Sequence, residues 1–389
     1  LMTKMISIFD LEISNKRVLI RQDLNVPLKE GSIASEARIK ACLPTIEYAI
    51  ERKAKVILMS HLGRPKEGAP IESQKQFSLS PVAKRLAELT SLKVRLESNY
   101  LNGCDFLNDD ILLLENVRVN SGETANDGSL ARKLAALCDI FVMDAFATSH
   151  RAHASTQGVA KYSPVACAGP LLLKELRALD RVFLSPKRPL LAIIGGSKVS
   201  TKLNVLTSLS RKVDLIIVGG GIANTFLAAA GKNVGKSLHE PRMIDIAKEI
   251  MEHGRIVLPV DVVVSSEVNE AAESKIKRVD AVSEEDHILD IGPLSISRNR
   301  ELVSDAKTIV WNGPLGVFEI SQFSTGTREL GKSIKQSNAF SIAGGGDTIS
   351  AIEISDALDG ISYISTGGGA FLETLEGKTL PGVSALLGK

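Results

Sequence analysis

Ten short runs of Val, Ile and Leu, spaced along the chain by segments long enough for a helix, limit most tightly what this sequence can fold into. The first four are Val18–Arg21, Val56–Ser60, Ile111–Leu114 and Ile140–Asp144. The rest are Leu190–Ile194, Leu215–Val218, Ile256–Val260, Thr308–Trp311, Phe340–Ala343 and Tyr363–Ser365. Most are continuously apolar rather than alternating, as expected of strands buried on both faces of a parallel sheet. Parallel neighbours need crossover connections. Lys202–Leu209 and Ala223–Ala230 read as two crossover helices.

At 389 residues the chain exceeds what one core usually serves. A break falls at Ser163–Pro170, with two prolines and a glycine, before a helix-like stretch at Leu171–Phe183. This reads as a linker helix between two sheets. Residues 1–180 carry 24 Lys and Arg against 21 Asp and Glu; the remainder carries 23 against 24. Neither half has the basic excess of a duplex-binding protein, so any anion site must be local. No basic segment followed by an apolar one marks a signal peptide, and no apolar run approaches the ~20 residues of a membrane span. Cys42, Cys104, Cys138 and Cys167 lie far apart and read as reduced thiols. A cytoplasmic location is expected.

The residues immediately after each run are more telling. In open parallel sheets, ligands bind outside the carboxyl ends of the strands. In the first half those ends carry Asp23 and Asn25, then His61, Gly63 and Arg64, then Glu115, Asn116 and Arg118, then His150, Arg151 and His153. Arg38, at a helix start, can join them. Any one of these arginines alone is an ordinary surface charge. Several at one sheet edge suit a small polyanion, because guanidinium forks match carboxylate and phosphate oxygens. His150 and His153 lack a carboxylate or cysteine at ligand spacing, which argues against a metal pair.

In the second half, glycine clusters come after the runs: Gly195-Gly196 before Lys198 and Lys202, Gly219–Gly221, Gly313–Gly316, Gly344–Gly346 before Asp347 and Thr348, and Gly367–Gly369. Glycine lets backbone amides approach phosphate, and helix N-termini attract anions. Asp347 then suits Mg²⁺, which often takes one or two carboxylates and shares phosphate oxygens. Gly231–Ser237, GKNVGKS, is one residue short of a P-loop, and Gly219–Asn224, GGGIAN, lacks the third glycine of a dinucleotide fingerprint.

RQDLNVP (21–27), SHLGRP (60–65), LLENVR (113–118), DAFATSHRAHAST (144–156), GGSKVSTK (195–202), GGGIANTF (219–226), WNGPLGVFE (311–319), AGGGDT (343–348) and STGGGA (365–370) together resemble the phosphoglycerate kinase family along nearly the whole chain. The resemblance implies an α/β fold of two Rossmann-like domains, each a parallel β-sheet covered by helices, joined by a linker helix. Residues 1–167 would bind 3-phosphoglycerate, 168–185 would form the hinge, 186–372 would bind nucleotide, and 373–389 would return to the first domain. It implies Asp23, Asn25, Arg38, His61, Leu62, Gly63, Arg64, Arg118 and Arg151 as the acid's site. Lys202, Gly219, Gly220, Asn312, Pro314, Glu319, Gly345, Gly346, Asp347 and Thr348 would hold the nucleotide, with Glu319 on the ribose and Asp347 facing Mg²⁺. Arg38, Lys198 and Lys202 would act on the transferring group, and the amides of Gly368 and Gly369 would meet it in the transition state.

The activity implied is reversible, in-line transfer between 1,3-bisphosphoglycerate and ADP, with hinge closure, by a monomer. Leu24, Val119, Ala147 and Ser149 depart from the family's usual wording beside these positions. Three other readings are separable. A kinase for a different small acid, or a non-catalytic nucleotide-binding protein on the same fold, would fail an assay with 3-phosphoglycerate and ATP. A dehydrogenase would bind NADH.

Overall fold

The structure, a computed structural model, describes residues 5–387. By its internal contacts the chain divides in two. One unit runs to Arg177 and takes the chain back from Thr379; the other is Ala178–Lys378.

The first unit contains β1 (Arg17–Arg21), a small hairpin β2 (Leu28–Lys29) and β3 (Ser32–Ile33), α1 (Ala37–Glu51), β4 (Lys55–Met59), α2 (Ser80–Thr90), β5 (Val94–Glu97), β6 (Ile111–Leu114), α3 (Gly128–Ala135), β7 (Ile140–Met143), α4 (Val159–Tyr162) and β8 (Val165–Ala168). Six strands form a parallel sheet in the order β5-β6-β4-β1-β7-β8. Ile111–Leu114 and Ile140–Met143 are buried at every residue, because side chains alternate between two covered faces. From β1 the chain first builds outward through β4, then crosses to β7 on the other side. That reversal leaves a crevice at the strand ends.

Helix α5 (Pro170–Phe183) contains the division between the units. The second unit continues with β9 (Leu190–Gly195), α6 (Val199–Ser210), β10 (Leu215–Gly219), α7 (Gly220–Ala229), α8 (Ile244–His253), β11 (Ile256–Val257), β12 (Asp261–Ser265), β13 (Ser274–Arg278), β14 (His287–Ile291), α9 (Pro293–Asp305), β15 (Thr308–Asn312), α10 (Thr325–Gln336), β16 (Phe340–Ala343), α11 (Gly346–Ile354), β17 (Tyr363–Ile364) and α12 (Gly368–Leu375). Its parallel sheet runs β11-β10-β9-β15-β16-β17. Counted by its own strands this is 3-2-1-4-5-6, the doubly wound order, with the switch point between β9 and β15. Both sheets are parallel and helix-covered, as the runs predict.

Four details differ from the sequence reading. Val94–Glu97 is a strand, half-buried throughout at the sheet edge, where Arg95 and Glu97 mask its pattern. Val165–Ala168 lies inside the segment read as a break but forms the opposite edge, where a preceding proline is tolerated. The run Ile256–Val260 stops at Val257. Asp261–Ser265 instead joins an antiparallel sheet, β13-β12-β14, that the apolar runs do not announce. Finally, the chain returns at Thr379 rather than 373, because α12 packs on α6 within the second unit. The returning turn α13 (Pro381–Ser384) is anchored where the Gly382 amide donates to the Ser149 carbonyl at 2.8 Å. Residues 388 and 389 of the returning segment lie outside the described residues.

Candidate active site

The carboxyl ends of β1, β4, β6 and β7 bring the first-half residues together. Arg64, Arg118 and Arg151 line one cavity of about 480 Å³ with Pro65, Glu67, Thr124 and His153. Arg118 is nearly buried and donates to the Gly63 carbonyl at 2.9 Å. Its buried Nε has no protein partner among the described residues. Burial, then the positive charge of Arg151 and Arg21, lowers its pKa to about 10. His153 is pushed to about 4 by burial, then by the charges of Arg118, Arg151 and Arg21. At neutral pH the cavity therefore carries its positive charge on arginine, not histidine.

Asp23, Asn25 and Arg38 form an adjoining cluster. Arg38 Nη1 donates to Asp23 Oδ1 at 3.0 Å and to the Asn25 carbonyl at 2.8 Å. The Asn25 side-chain oxygen accepts the Gly63 amide at 2.8 Å, joining this cluster to the loop after β4. Leu62 is buried and contributes its backbone carbonyl to Asn116. His61 is buried against Arg21, and burial and four arginines hold its pKa well below the usual range. His150 accepts from Arg151 Nε at 3.3 Å. Among the described residues no three His, Cys, Asp or Glu side chains converge as metal ligands. Of the four departures, Leu24 is fully buried in the core and Ser149 binds the returning turn.

In the second unit, Lys202 spans the switch point. Its Nζ donates to the carbonyls of Gly195, ending β9, at 2.5 Å, and Asn312, ending β15, at 3.2 Å. Burial lowers its pKa to about 8, against the opposing charge of Asp347. Asn312 is buried. Its amide donates to the Gly344 carbonyl at 2.7 Å, while its oxygen has no partner among the described residues. Thr348 is buried, and its hydroxyl is engaged internally: it accepts the Gly313 amide at 2.9 Å and donates to the Gly344 carbonyl at 2.8 Å. Lys198, Glu319 and Asp347 are exposed.

The glycine clusters divide by surroundings. A Cβ on Gly195 would stand 1.7 Å from the Pro314 carbonyl oxygen, and one on Gly219 would stand 2.5 Å from Leu315 Cα. These glycines, and buried Pro314, let the strand-end loops pack backbone on backbone. A Cβ on Gly346 would meet nothing within 4 Å, and one on Gly368 would meet nothing nearer than Gly345 Cα at 3.5 Å. Gly346 and Gly368 open α11 and α12. Two helix N-termini therefore lie side by side over open space, with Asp347 and Lys202 at hand, an arrangement that attracts anions. Gly369 is the second residue of α12, and Gly220 opens α7.

GKNVGKS serves the antiparallel sheet instead. Lys232 pairs with Asp280, Lys236 with Glu285, and Ser237 accepts the Ile288 amide at 2.8 Å. Sequence reasoning passed over Arg21, Glu123 and Ser155, which carry a buried polar network. Arg21 ends β1, and the RQDLNVP motif that carries it was its available signal.

A family model described as phosphoglycerate kinase matches residues 8–378. Among solved structures, phosphoglycerate kinase from Coxiella burnetii is 50% identical, with 98% of each chain covered and a TM-score of 0.95. Phosphoglycerate kinase from Pyrococcus horikoshii OT3 is 34% identical, with 98% of each chain covered and a TM-score of 0.79. Its motifs, the arginine-lined strand ends and the match across nearly its whole length agree: the chain belongs to the phosphoglycerate kinase family.

Proposed function

We propose that the two described sites divide the family's reaction between them, the arginine cavity taking 3-phosphoglycerate and the paired helix N-termini taking the nucleotide's phosphates. The chain is a glycolytic kinase that transfers a phosphoryl group to and from a carboxyl group. The observation carrying the assignment is the convergence of Arg64, Arg118 and Arg151 on one cavity. Three guanidinium groups suit a small acid that bears a phosphate as well as a carboxylate.

The acceptor carboxylate is ionised at pH 7, so the transfer needs no general base. What it needs is the approach of two anions in line, which positioning and charge stabilisation supply. In our reading Arg38 and Lys202 neutralise charge on the transferring group, with Lys198 at the start of α6, while the amides of Gly368 and Gly369 receive its oxygens. Gly345–Thr348, Asn312, Pro314, Gly219 and Gly220 shape the nucleotide site, with Glu319 on the ribose. Thr348 contributes through its backbone, since its hydroxyl is engaged. The residues present fit Mg²⁺: exposed Asp347 offers one carboxylate beside a phosphate cradle. Mg²⁺ would supply Lewis-acid stabilisation of phosphate charge. Closure around the joining helix would bring the ligands together and exclude water, which hydrolyses acyl phosphates.

Among the described residues no helix is long and apolar enough to cross a membrane. A monomer in the cytoplasm completes the reading. Calorimetry of the Arg118→Ala variant tests the division of sites. 3-Phosphoglycerate binding is expected to weaken at least about tenfold, as for loss of a charged hydrogen bond, with ADP binding unchanged. Equal weakening of both ligands would refute it.

A further inference from the structure

A chain of buried polar groups runs from Glu123, 3.8 Å from the cavity-lining His153, to His61. Glu123 is fully buried and accepts the Ser155 hydroxyl at 2.5 Å and the Ser155 amide at 3.0 Å. With its hydroxyl hydrogen directed at Glu123, the Ser155 oxygen accepts from Arg21 Nε at 3.1 Å. Arg21 is itself fully buried, and its Nη1 donates to the Gln22 carbonyl at 2.7 Å. Its Nη2 lies 3.2 Å from His61 Nδ1.

A guanidinium has donors and no acceptor. His61 Nδ1 must therefore present its lone pair, since an N–H there would face another N–H. A neutral imidazole carries one proton, so that proton sits on Nε2. From these contacts we infer that Arg21, held by Ser155 and Glu123, is a positioning residue that keeps His61 as the Nε2–H tautomer, so that His61 meets the acid substrate as a neutral hydrogen-bond donor. The functional half rests on the assignment of 3-phosphoglycerate to this edge.

The surrounding charges agree. Arg21 from β1, Arg38 from α1, Arg118 after β6 and Arg151 after β7 all disfavour a proton on His61. The nearby carboxylate, Glu123, is occupied by Ser155 and lies 3.8 Å from His153 Nδ1. A histidine that changed charge near neutrality would make acid binding vary with pH. A neutral one, oriented by a permanent cation, gives the same donor throughout.

The test is long-range ¹H–¹⁵N NMR of the full chain with labelled histidine, the His61 signals being assigned from their loss in His61→Asn. The expected wild-type pattern is an unprotonated Nδ1 and a protonated Nε2, unchanged from about pH 5 to 8. A protonated Nδ1, or titration within that window, overturns the inference without any substitution at Arg21. In Arg21→Met the pattern should become mixed and start to titrate, and KM for 3-phosphoglycerate should rise about tenfold or more, with kcat less affected. Arg21→Lys, which keeps a donor, should restore the wild-type tautomer. If Arg21→Met does not fold, Ser155→Ala, which loosens Arg21 but leaves it in place, should show the same change in weaker form. An unaltered tautomer in a folded Arg21→Met refutes the lock. If the lock holds but added 3-phosphoglycerate leaves the His61 signals in place, the substrate assignment fails and the functional half falls with it.

Discussion

The Asp144 carboxylate, just after β7, accepts the backbone N–H of Leu171 in the first turn of α5 at 2.8 Å. Thr45 of α1 donates its hydroxyl to the other carboxylate oxygen at 2.6 Å. One buried side chain thus ties the switch point of the first sheet to the helix that carries Arg38 and to the helix that leaves the unit. Burial, partly offset by these donors, raises its pKa to about 6 from an ordinary 3.8.

This shift has a sign that can be measured. The folded chain binds the proton more tightly than the unfolded chain, so between about pH 4 and 6 it binds more protons, and Asp144's contribution to stability falls as pH rises through that window. Asp144→Asn keeps an acceptor for Leu171 and offers Thr45 a donor. It is expected to gain up to about 2 kcal/mol relative to wild type above pH 6 and to lose that advantage near pH 4. Denaturation of both proteins at the two pH values checks it. The comparison cancels the buried histidines, whose lowered pKa values act in the opposite sense. A difference independent of pH sinks the idea.

Arg38→Ala should lower kcat by at least about two orders of magnitude, as for loss of a contact to transition-state charge. The fold should survive, since the side chain is 43% exposed and an ion pair so exposed contributes about 1 kcal/mol or less. Steady-state kinetics beside a thermal melt tests both halves. Near-normal kcat removes Arg38 from the transferring group.

The two kinds of glycine predict opposite phenotypes. Gly195→Ala forces a methyl group onto the Pro314 carbonyl and should destabilise the second unit by about 3 kcal/mol or more. Gly346→Ala meets open space at a helix start and should leave stability unchanged or raised by about 0.5 kcal/mol. It should weaken ADP binding, because the methyl occupies the proposed approach of phosphate. Unchanged ADP affinity would place the phosphates elsewhere.

Lys202, with its pKa lowered to about 8, is about half-charged at that pH. A bound phosphate favours the charged form, so ADP binding near pH 8 should take up a fraction of a proton, and near pH 6 this contribution should vanish. Calorimetry in buffers of different ionisation heat measures the uptake. Lys202→Arg, always charged, should abolish it; identical uptake in the variant would assign the proton to another group.

Much of the fold was legible because a doubly covered strand must be apolar along its length, and most of the ten runs meet that condition. Val94–Glu97 escaped notice because it is a less covered edge strand that tolerates charge, and Val165–Ala168 because a proline precedes it. The antiparallel sheet escaped because β13, SKIKR, is largely exposed and offers no apolar run. In the site, the arginines were legible from their place after strands. Thr124 and Glu67, brought beside them by loops, were not.

The sequence alone determined two parallel, helix-covered sheets, an arginine-rich set of strand ends in one half and a glycine-rich set in the other. These are short-range properties: a strand's burial and the residues just beyond it are written within a few positions. Tertiary structure decided which glycines are spacers and which open onto free space, since that depends on whether another backbone stands within reach. It also decided the direction of the Glu123–Ser155–Arg21–His61 chain. Arg21 and Ser155 are 134 positions apart, and nothing local in either records that their hydrogen bond sets the proton of a third residue.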